Sequence, residues 1–363
     1  MSQSIMESKE TARKGWKPPT LIAKSDSAAR PDQNNPIDAS EYLDDPDTLQ
    51  SKVKAVAQML KQARHCVCYT GAGISKASGI PDYATRAIGS LVGSIERLQD
   101  PHEAQPTIAH DALASLYRAG YVKEFVNQNH DGLFEKAGVS VLHSNLIHGD
   151  WFDISNPVVQ FSGNLRGDLF QRLLETERTA DMVLVGGTSL SGMNADRVAH
   201  TCAKRWAGRD HGVLGTVIVN LQRTCLDDLS VVRVWCKTDD FFTLLAEEMK
   251  VEVERVRPRV LNENVFLVPY DADGNRLPQN DPRRMILDLG PGSRVRVVHP
   301  EASNLGAEYT VAPNRDGEGN WMFDMQRPGK LAIRRRFGRW YVQSAIDGEL
   351  EQLPCVNCDV HFQ

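Results

Sequence analysis

The sequence predicts an α/β protein whose main domain is built on a mainly parallel sheet, followed by a smaller all-β domain. Apolar runs alternate with helical patterns over residues 41–254, which is typical of a parallel sheet covered by helices on both faces. Polar clusters follow four of those runs, at the strand ends where open α/β sheets bind ligands. After residue 254, strand-like runs alternate with Asp-Gly and Pro-Gly pairs. This pattern of strands and turns favours an all-β barrel or sandwich over residues 255–363.

Composition limits the classes of function. The chain has 363 residues, of which 41% are hydrophobic and 25% charged, and this suits a folded protein of two domains. A formal net charge of −5 gives no basic field that would favour nucleic acid as a specific ligand. We expect no membrane span and no secretory signal, because no apolar run is long enough. Seven scattered cysteines suit a reducing compartment, so the expected location is the nucleus or the cytoplasm.

The elements of the main domain come in a regular order. Residues 1–40 are polar and aperiodic, and we expect a disordered or extended arm there. A helix is predicted from Asp47, because Leu49, Val53 and Leu60 fall at helical spacing. It leads to a buried strand at 66–69, which stops at the Gly71-Ala72-Gly73 turn.

The remaining predictions alternate between the two kinds of element. Further strands of the main domain are predicted at 121–126, 157–161, 182–185, 217–219 and 231–235. Further helices are predicted from 106 to Gly120 and at 166–178, 196–206 and 241–251. Strands of the all-β domain are predicted at 265–268, 295–298, 309–311, 321–323, 331–334 and 340–343.

The glycine turn is the first candidate binding element. Gly71 and Gly73 lack Cβ atoms, so their backbone N–H groups can approach a phosphate closely. The third glycine of the usual dinucleotide fingerprint is missing. The continuation, Ser78-Gly79-Ile80-Pro81-Asp82-Tyr83, is more specific than the turn itself.

The run from Thr70 to Tyr83 resembles the signature of the sirtuins, which are NAD-dependent protein deacylases. The resemblance covers about residues 41–250, and these segments match in order: Gln128-Asn129-x-Asp131-Gly132, Ala137-Gly138, His148-Gly149, Gly187-Thr188-Ser189-Leu190 and 217–222. The residues of these motifs are most similar to those of the class IV branch, which includes nuclear chromatin deacylases. The resemblance implies a Rossmann-like, doubly wound domain of the sirtuin type, NAD as cosubstrate and an acylated-lysine protein or peptide as acceptor.

The resemblance also implies roles for individual residues. His148 would be the general base, a task suited to an imidazole because its pKa lies near neutral pH, with Asn129 and Asp131 beside it in the catalytic set. The implied phosphate cradle is Gly71, Ala72, Gly73 and Ser75. The implied contacts to nicotinamide and its ribose are Asp82, Tyr83, Gln128, Asn129 and Asp131. The implied contacts to phosphate, ribose and adenosine are Thr188, Ser189, Asn220 and Gln222, and the NAD-binding set is completed by Ile80, Arg86, His148, Gly187 and Cys236.

The sequence departs from the family pattern after the His-Gly pair. Sirtuins carry a zinc module there, built from two Cys-x-x-Cys pairs. Here only residues 150–156 separate Gly149 from Pro157, and none of them is Cys. We therefore expect a reduced small domain that does not use zinc.

Smaller departures affect the substrate side. Ala84 stands where the family has Arg, and Arg86 is the candidate replacement. The family's Phe-Gly-Glu segment reads Phe161-Ser162-Gly163-Asn164. His130 replaces an apolar residue or Cys, and Phe134 replaces His.

Three patterns have a plainer interpretation. Cys355, Cys358 and His361 provide three of the four ligands of a closed zinc site, and we expect no metal there. Arg334-Arg335-Arg336 is interpreted as a solvated strand face rather than a nucleic-acid site. His148 could be a structural histidine, although its place before Gly149 favours catalysis.

The leading hypothesis is a zinc-independent, NAD-dependent protein-lysine deacylase that releases nicotinamide and O-acyl-ADP-ribose. One alternative is an NAD glycohydrolase or mono-ADP-ribosyltransferase that uses the same residues. Another is a non-catalytic NAD-binding scaffold whose β domain recruits a partner. The acyl preference, the protein substrate and the oligomeric state stay open.

Overall fold

The computed structural model describes residues 15–30, 37–82, 84–91, 100–160, 163–191, 194–327 and 330–363. Their strands are β1 (Thr20–Ala23), β2 (Glu41–Leu43), β3 (Cys66–Thr70), β4 (Glu124–Asn127), β5 (Ser144–Leu146), β6 (Met182–Gly186), β7 (Gly215–Val219), β8 (Val232–Val234), β9 (Val265–Val268), β10 (Met285–Asp288), β11 (Arg294–Val297), β12 (Glu308–Val311), β13 (Trp321–Arg327), β14 (Lys330–Phe337), β15 (Cys355–Asn357) and β16 (His361–Phe362). Their α-helices are α1 (Pro46–Gln62), α2 (Ile108–Arg118), α3 (Leu133–Lys136), α4 (Gly167–Thr179), α5 (Arg197–Ala207), α6 (Thr238–Glu248) and α7 (Arg339–Ile346). Short 3₁₀ helices lie at Ala72–Ser78, Pro101–Glu103, Val141–His143, Asn194–Asp196 and Asp227–Leu229.

The chain forms two compact units, and each is discontinuous in sequence. The first consists of Met1–Gln128 and Gln171–Val256, and the second of Asn129–Phe170 and Arg257–Gln363. The predicted division at 254/255 differs from this, because it places residues 129–170 with the main domain. Phe152 and Ile154 explain the difference, since both are buried in the same apolar core as the C-terminal strands.

The first unit is built on a parallel sheet. Its strands lie in the order β4-β3-β6-β7-β8, and each neighbouring pair is parallel. The chain runs from β3 to β4 on one side and returns to β6 on the other, so the strand order reverses at β3. The Gly71 turn therefore follows the strand at the topological switch point, where doubly wound sheets bind their ligands. This confirms the predicted fold class.

Local signals explain where the flanking helices begin. Asp45 caps α1 by accepting from the backbone N–H of Thr48, and Pro46 occupies the first helical turn, where its missing N–H costs nothing. Thr107 and His110 form a reciprocal capping box at the start of α2. Each cap satisfies backbone donors that the helix itself leaves unpaired.

The N-terminal arm contains a strand. β1 pairs with β2 in antiparallel orientation, so part of the predicted 1–40 arm is an extended strand. The rest of that prediction, at 1–14 and 31–36, falls outside the described residues.

The second unit contains two antiparallel sheets with the orders β14-β13-β12-β11-β15 and β16-β10-β9. Their inward side chains, among them Trp321 and Phe323, are fully buried, as the alternating pattern of these strands predicts. One C-terminal element differs from the prediction, because residues 340–343 lie in α7 and not in a strand. The strand predicted at 157–161 is also wrong over residues 157–160, which have no regular structure, while Phe161 lies outside the described ranges.

Over the part of the chain that the structure describes, no helix is both long and apolar enough to cross a bilayer.

Candidate functional site

Two glycine loops interlock at the switch point of the first unit. A Cβ atom on Gly71 would lie 2.6 Å from Gln128 Oε1 and 2.8 Å from Thr188 Cβ, and one on Gly73 would lie 2.7 Å from the Gly187 carbonyl oxygen. Gly187 itself has a φ of 63°, and a Cβ atom there would collide with the Ile74 amide nitrogen. The positions therefore admit only glycine, because any side chain would push the two loops apart.

The glycine N–H groups have partners within the protein. The Gly71 amide donates to the Gly186 carbonyl at 3.3 Å, and the Gly73 amide donates to the Gly187 carbonyl at 2.8 Å. In this structure the two donors join the loops after β3 and β6, and the phosphate contact of this turn stays a prediction. The two glycines thus set the shape of the loop, which continues as the 3₁₀ helix Ala72–Ser78 with Ser75 fully buried.

Gln128 connects three of the strand ends. Its side-chain oxygen accepts from Thr188 Oγ1 at 3.1 Å. Its amide nitrogen donates to Asp196 Oδ1 at 3.1 Å and to the buried hydroxyl of Tyr69. The Tyr69 hydroxyl in turn donates to Asp196 at 2.6 Å. The predicted residues Gly71, Gln128 and Thr188 are therefore brought together by a buried polar network.

The loop after β7 joins the same cluster. Asn220 donates from Nδ2 to the Thr188 carbonyl at 3.3 Å. Gln222 is buried, and its side-chain amide donates to the backbone carbonyls of Thr85 at 2.8 Å and Ala39 at 3.2 Å. In this structure the Gln222 amide ties backbone segments together, which differs from a direct ribose contact.

Ser189 lies at the edge of this cluster, within hydrogen-bond distance of Arg30 Nη1 at 3.4 Å and Ser191 Oγ at 2.5 Å. It is half-buried. Hydroxyl and guanidinium groups together suit an anionic ligand.

The segment after the 3₁₀ helix carries an ion-pair cluster. Asp82 pairs with Arg86 and lies 3.7 Å from Lys76 Nζ. Ile80 is buried. Tyr83, predicted to bind on the nicotinamide side, lies outside the described residues.

Cys236 is buried at the end of the first unit's sheet, after β8. Burial raises the pKa of its thiol to about 12. A thiol that stays protonated at neutral pH is a weak nucleophile, and the contact of Cys236 with NAD stays a prediction.

The second unit holds the residues predicted to be catalytic. Asn129 and Asp131 are buried, and Asp131 Oδ1 accepts from the Leu133 amide at 3.2 Å, at the start of α3. His148 is half-buried, and its carbonyl accepts from the Val159 amide at 3.0 Å. His130 Nδ1 donates to the Gly149 carbonyl at 3.1 Å, so the two predicted segments are joined directly.

Sequence reasoning missed three supporting residues of the first unit: Tyr69, Asp196 and Arg233. Arg233 is buried, donates to the carbonyls of Asn220 at 2.9 Å and Gln222 at 2.6 Å, and pairs with Asp227 at 2.8 Å. An arginine inside an otherwise apolar strand was a visible signal, because buried charges need partners.

Among the described residues, side chains that could ligate a metal are dispersed. The described ranges contain no group of three or more His, Cys, Asp or Glu side chains that could hold a metal ion. Cys355 is buried in β15, Cys358 is half-buried and His361 is exposed in β16.

The curated relatives of this chain are NAD-dependent protein deacetylases. It is 30% identical over 260 residues to "NAD-dependent protein deacetylase sirtuin-7" of Rattus norvegicus. The aligned region covers 59% of this chain and 63% of that protein. This chain is 28% identical over 250 residues to the "NAD-dependent protein deacetylase" of Caldivirga maquilingensis, which covers 54% of this chain and 93% of that protein. The chain thus spans less than two thirds of the length of the sirtuin-7 relatives that it matches. No family model matches it.

The chain is also similar to solved structures of Sir2 proteins. "Sir2-p53 peptide-NAD+" is 22% identical, covers 54% of this chain and 98% of its own, and has a TM-score of 0.46. "Sir2 bound to acetylated peptide" is also 22% identical, covers 55% and 99%, and has a TM-score of 0.46.

Proposed function

We propose that this chain is a member of the sirtuin family, to whose proteins it is similar, and that it acts as an NAD-dependent protein-lysine deacylase. The reaction would consume NAD and an acylated lysine, and would release nicotinamide, O-acyl-ADP-ribose and the free lysine side chain. Its similarity to sirtuin-7 proteins agrees with the class IV motifs of the sequence.

The observation that carries the proposal is the meeting of loops from four strand ends in the first unit. Gly71 follows β3, Gln128 follows β4, Thr188 follows β6 and Asn220 follows β7, and short contacts or hydrogen bonds link them. Loops that converge in this way at the switch point of a doubly wound sheet form the usual site for a dinucleotide.

The residues present fit NAD as the ligand. The glycine loops after β3 and β6 pack backbone against backbone, and the Ser189 hydroxyl lies beside the Arg30 guanidinium, a combination that suits the anionic phosphates of NAD. Ala72, Ser75, Thr188 and Ser189 would hold the phosphates, and Asn220 the adenosine ribose. NAD supplies the ribose carbon that takes up the acyl oxygen as nicotinamide departs.

His148 would serve as the general base of the second unit. Its task would be to take a proton from a ribose hydroxyl, so that this hydroxyl can attack the acyl carbon. Asn129 and Asp131 are buried in the same unit, where polar groups can orient the sugar away from water.

The protein substrate would be a protein or peptide that carries acylated lysine. The location that we propose for that substrate is the nucleus or the cytoplasm, as the cysteine content of the sequence predicts. Zinc would have no part in the reaction, because residues 150–156 provide no cysteine.

Mass spectrometry of the products tests the proposal. The purified protein is incubated with NAD and a panel of acetyl-, propionyl- and longer-chain acyl-lysine peptides, with the unmodified peptides as the matched control. We expect nicotinamide and O-acyl-ADP-ribose in equal amounts, and only where the peptide is acylated. An enzyme treated with a zinc chelator should retain its rate.

The alternatives predict different products. Nicotinamide release that does not depend on acyl-lysine would indicate a glycohydrolase, and ADP-ribose attached to protein would indicate a transferase. NAD binding in calorimetry without any product would indicate a scaffold. Each of these results would overturn the deacylase assignment.

A further inference from the structure

The His148-Gly149 segment is fixed in the second unit by its backbone. The Gly149 amide donates to the Leu146 carbonyl at 3.1 Å, and its carbonyl accepts from His130. Gly149 has a φ of 99°, and a Cβ atom there would lie 2.5 Å from Val158 Cα. The chain therefore has little room to move at the proposed base, and its course is set by the segment 150–156.

The first residue of that segment, Asp150, anchors the chain. It is 3% exposed, and its amide donates to the Asn156 carbonyl at 2.8 Å. Its Oδ1 atom accepts from the Phe152 amide at 2.8 Å, and its Oδ2 atom accepts from the hydroxyl of Tyr341 at 2.9 Å. Both oxygens of a buried carboxyl are thus used, one locally and one by helix α7 from 191 residues later in the chain.

The rest of the 150–156 segment is packed against the same C-terminal elements. The Phe152 ring lies 5.0 Å from the Trp340 ring in an edge-on contact, and the Phe152 carbonyl accepts from the Gly338 amide at 2.9 Å. The Ile154 carbonyl accepts from Asn304 Nδ2 at 2.8 Å. The segment that replaces the family's zinc module is therefore part of the core of the C-terminal domain.

The surroundings of Asp150 make its partner important. Glu135 and Asp153 face it, Asp153 lies 3.7 Å from Arg166, and burial together with the two acids raises the pKa of Asp150 well above its ordinary value. The pKa of Tyr341 is raised as well, first by its burial and then by Asp150 and the same two acids. Removing one member of a buried polar pair leaves the other unsatisfied, and this has a larger effect than the net strength of the bond.

We propose that Tyr341 and Asp150 are positioning residues for His148, so that the C-terminal domain takes over the structural role of a zinc module. The proposal rests on the proposed function for the role of His148 as a base. The geometry of the pair itself does not depend on that role.

The test compares two tyrosines of the C-terminal domain. Tyr341→Phe removes the hydroxyl that reaches Asp150 and keeps the ring stacked on Phe337. Tyr270→Phe is the matched control, because its buried hydroxyl donates to the Leu350 carbonyl at 2.8 Å, away from the 150–156 segment. We expect Tyr341→Phe to lower kcat for deacylation about tenfold to a hundredfold with KM for NAD unchanged, since small displacements of a base have effects of this size. Tyr270→Phe should leave kcat within about twofold.

Replacements of Asp150 separate geometry from charge. Asp150→Asn keeps an acceptor for the Phe152 amide and a polar partner for Tyr341, so we expect kcat near that of the unchanged protein. Asp150→Ala should lower kcat at least as much as Tyr341→Phe does. If Asp150→Asn and Asp150→Ala lower kcat by the same factor, the positioning role is overturned.

A second measurement does not require activity. Hydrogen exchange of the peptide covering residues 146–159 is expected to be faster in Tyr341→Phe than in Tyr270→Phe. Equal exchange in the two variants would overturn the inference even if the protein is a deacylase. Absence of product from the unchanged protein would overturn the proposed function alone, because the exchange result would still stand.

Discussion

At the scale of single residues, His148 is the position at which the proposed chemistry can be separated from folding. Replacing it with Ala should reduce deacylation by about a hundredfold or more, since general bases contribute factors of this order. NAD binding, measured by calorimetry, should change by less than a few-fold because the glycine loops lie in the first unit. His143→Ala is the matched control, as its side chain is exposed in the same unit. Retained activity in His148→Ala would contradict the assignment.

Glu135 gives a pH prediction. It is 1% exposed, and burial raises the pKa of its carboxyl from 4.5 to about 7. The folded state therefore binds this proton more tightly than the unfolded state, so the stability it contributes is lost as pH rises from about 4.5 to about 7. Glu135→Gln should be more stable than the unchanged protein at pH 8, by on the order of 3 kcal/mol, with a much smaller difference at pH 5.

Chemical denaturation at the two pH values checks this prediction. The exposed residue Glu252 provides the control, and Glu252→Gln should show no difference between pH 5 and pH 8. A Glu135→Gln variant whose unfolding free energy keeps the pH dependence of the unchanged protein would show that Glu135 is not the titrating group.

The sequence predicted the close packing of Gly71 and Gly73 but not the partners of their N–H groups. Gly71 and Gly73 were predicted from their missing side chains, and their close packing agrees with that reasoning. Their N–H groups nevertheless serve the neighbouring loop, because Gly186 and Gly187 approach from β6. That approach could not be known until the strand order was known.

At the scale of elements, the buried pair Asp44–Lys52 joins helix α1 to the sheet of the first unit. Lys52 Nζ lies 2.7 Å from Asp44 Oδ1 with both side chains no more than 1% exposed, and Asp44 Oδ2 accepts from the Trp235 amide at 2.9 Å. Lys52→Met should therefore cost about 3–5 kcal/mol, since it leaves a buried charge without its partner.

Urea denaturation measures this effect, and the exposed neighbour Lys54 supplies the control. Lys54→Met should change stability by less than about 0.5 kcal/mol. The double variant Asp44→Asn with Lys52→Met should recover part of the loss. A cost for Lys52→Met no larger than that of Lys54→Met would contradict a structural role for the pair.

Helices and strands with a clear periodicity were predicted well, and the failures have a common cause. Residues 340–343 contain Trp, Tyr and Val, which favour strands, yet they form the start of α7. The helical pattern emerges only when Ser344 and Ala345, both buried, are included with Trp340 and Tyr341. A four-residue window is too short to separate the two periods.

At the scale of the whole molecule, the two discontinuous units can be tested with a pair of buried phenylalanines. Phe152→Ala should cost about 3–5 kcal/mol and accelerate hydrogen exchange in β11 and β13, because Phe152 belongs to the core of the second unit. Phe242→Ala removes a fully buried ring of the first unit and should accelerate exchange in β3 and β6 instead. The same pattern from both variants would contradict the division.

The division itself could not be predicted from the sequence. Composition changes near residue 255, and the structure has one boundary between Val256 and Arg257. The assignment of residues 129–170 to the second unit depends on Phe152 and Ile154 meeting strands more than a hundred residues later. No local pattern carries that information, because a buried apolar side chain fits any core of suitable shape.

The distance in sequence between Phe152 and Trp340 has a consequence for biosynthesis. About 190 residues must be added after Phe152 leaves the ribosome before its aromatic partner exists, which takes roughly 10–40 s at ordinary elongation rates. During that interval the nascent chain exposes an apolar segment beside its future imidazole base. The core of the second unit, which contains both rings, can therefore close only after helix α7 has been synthesised.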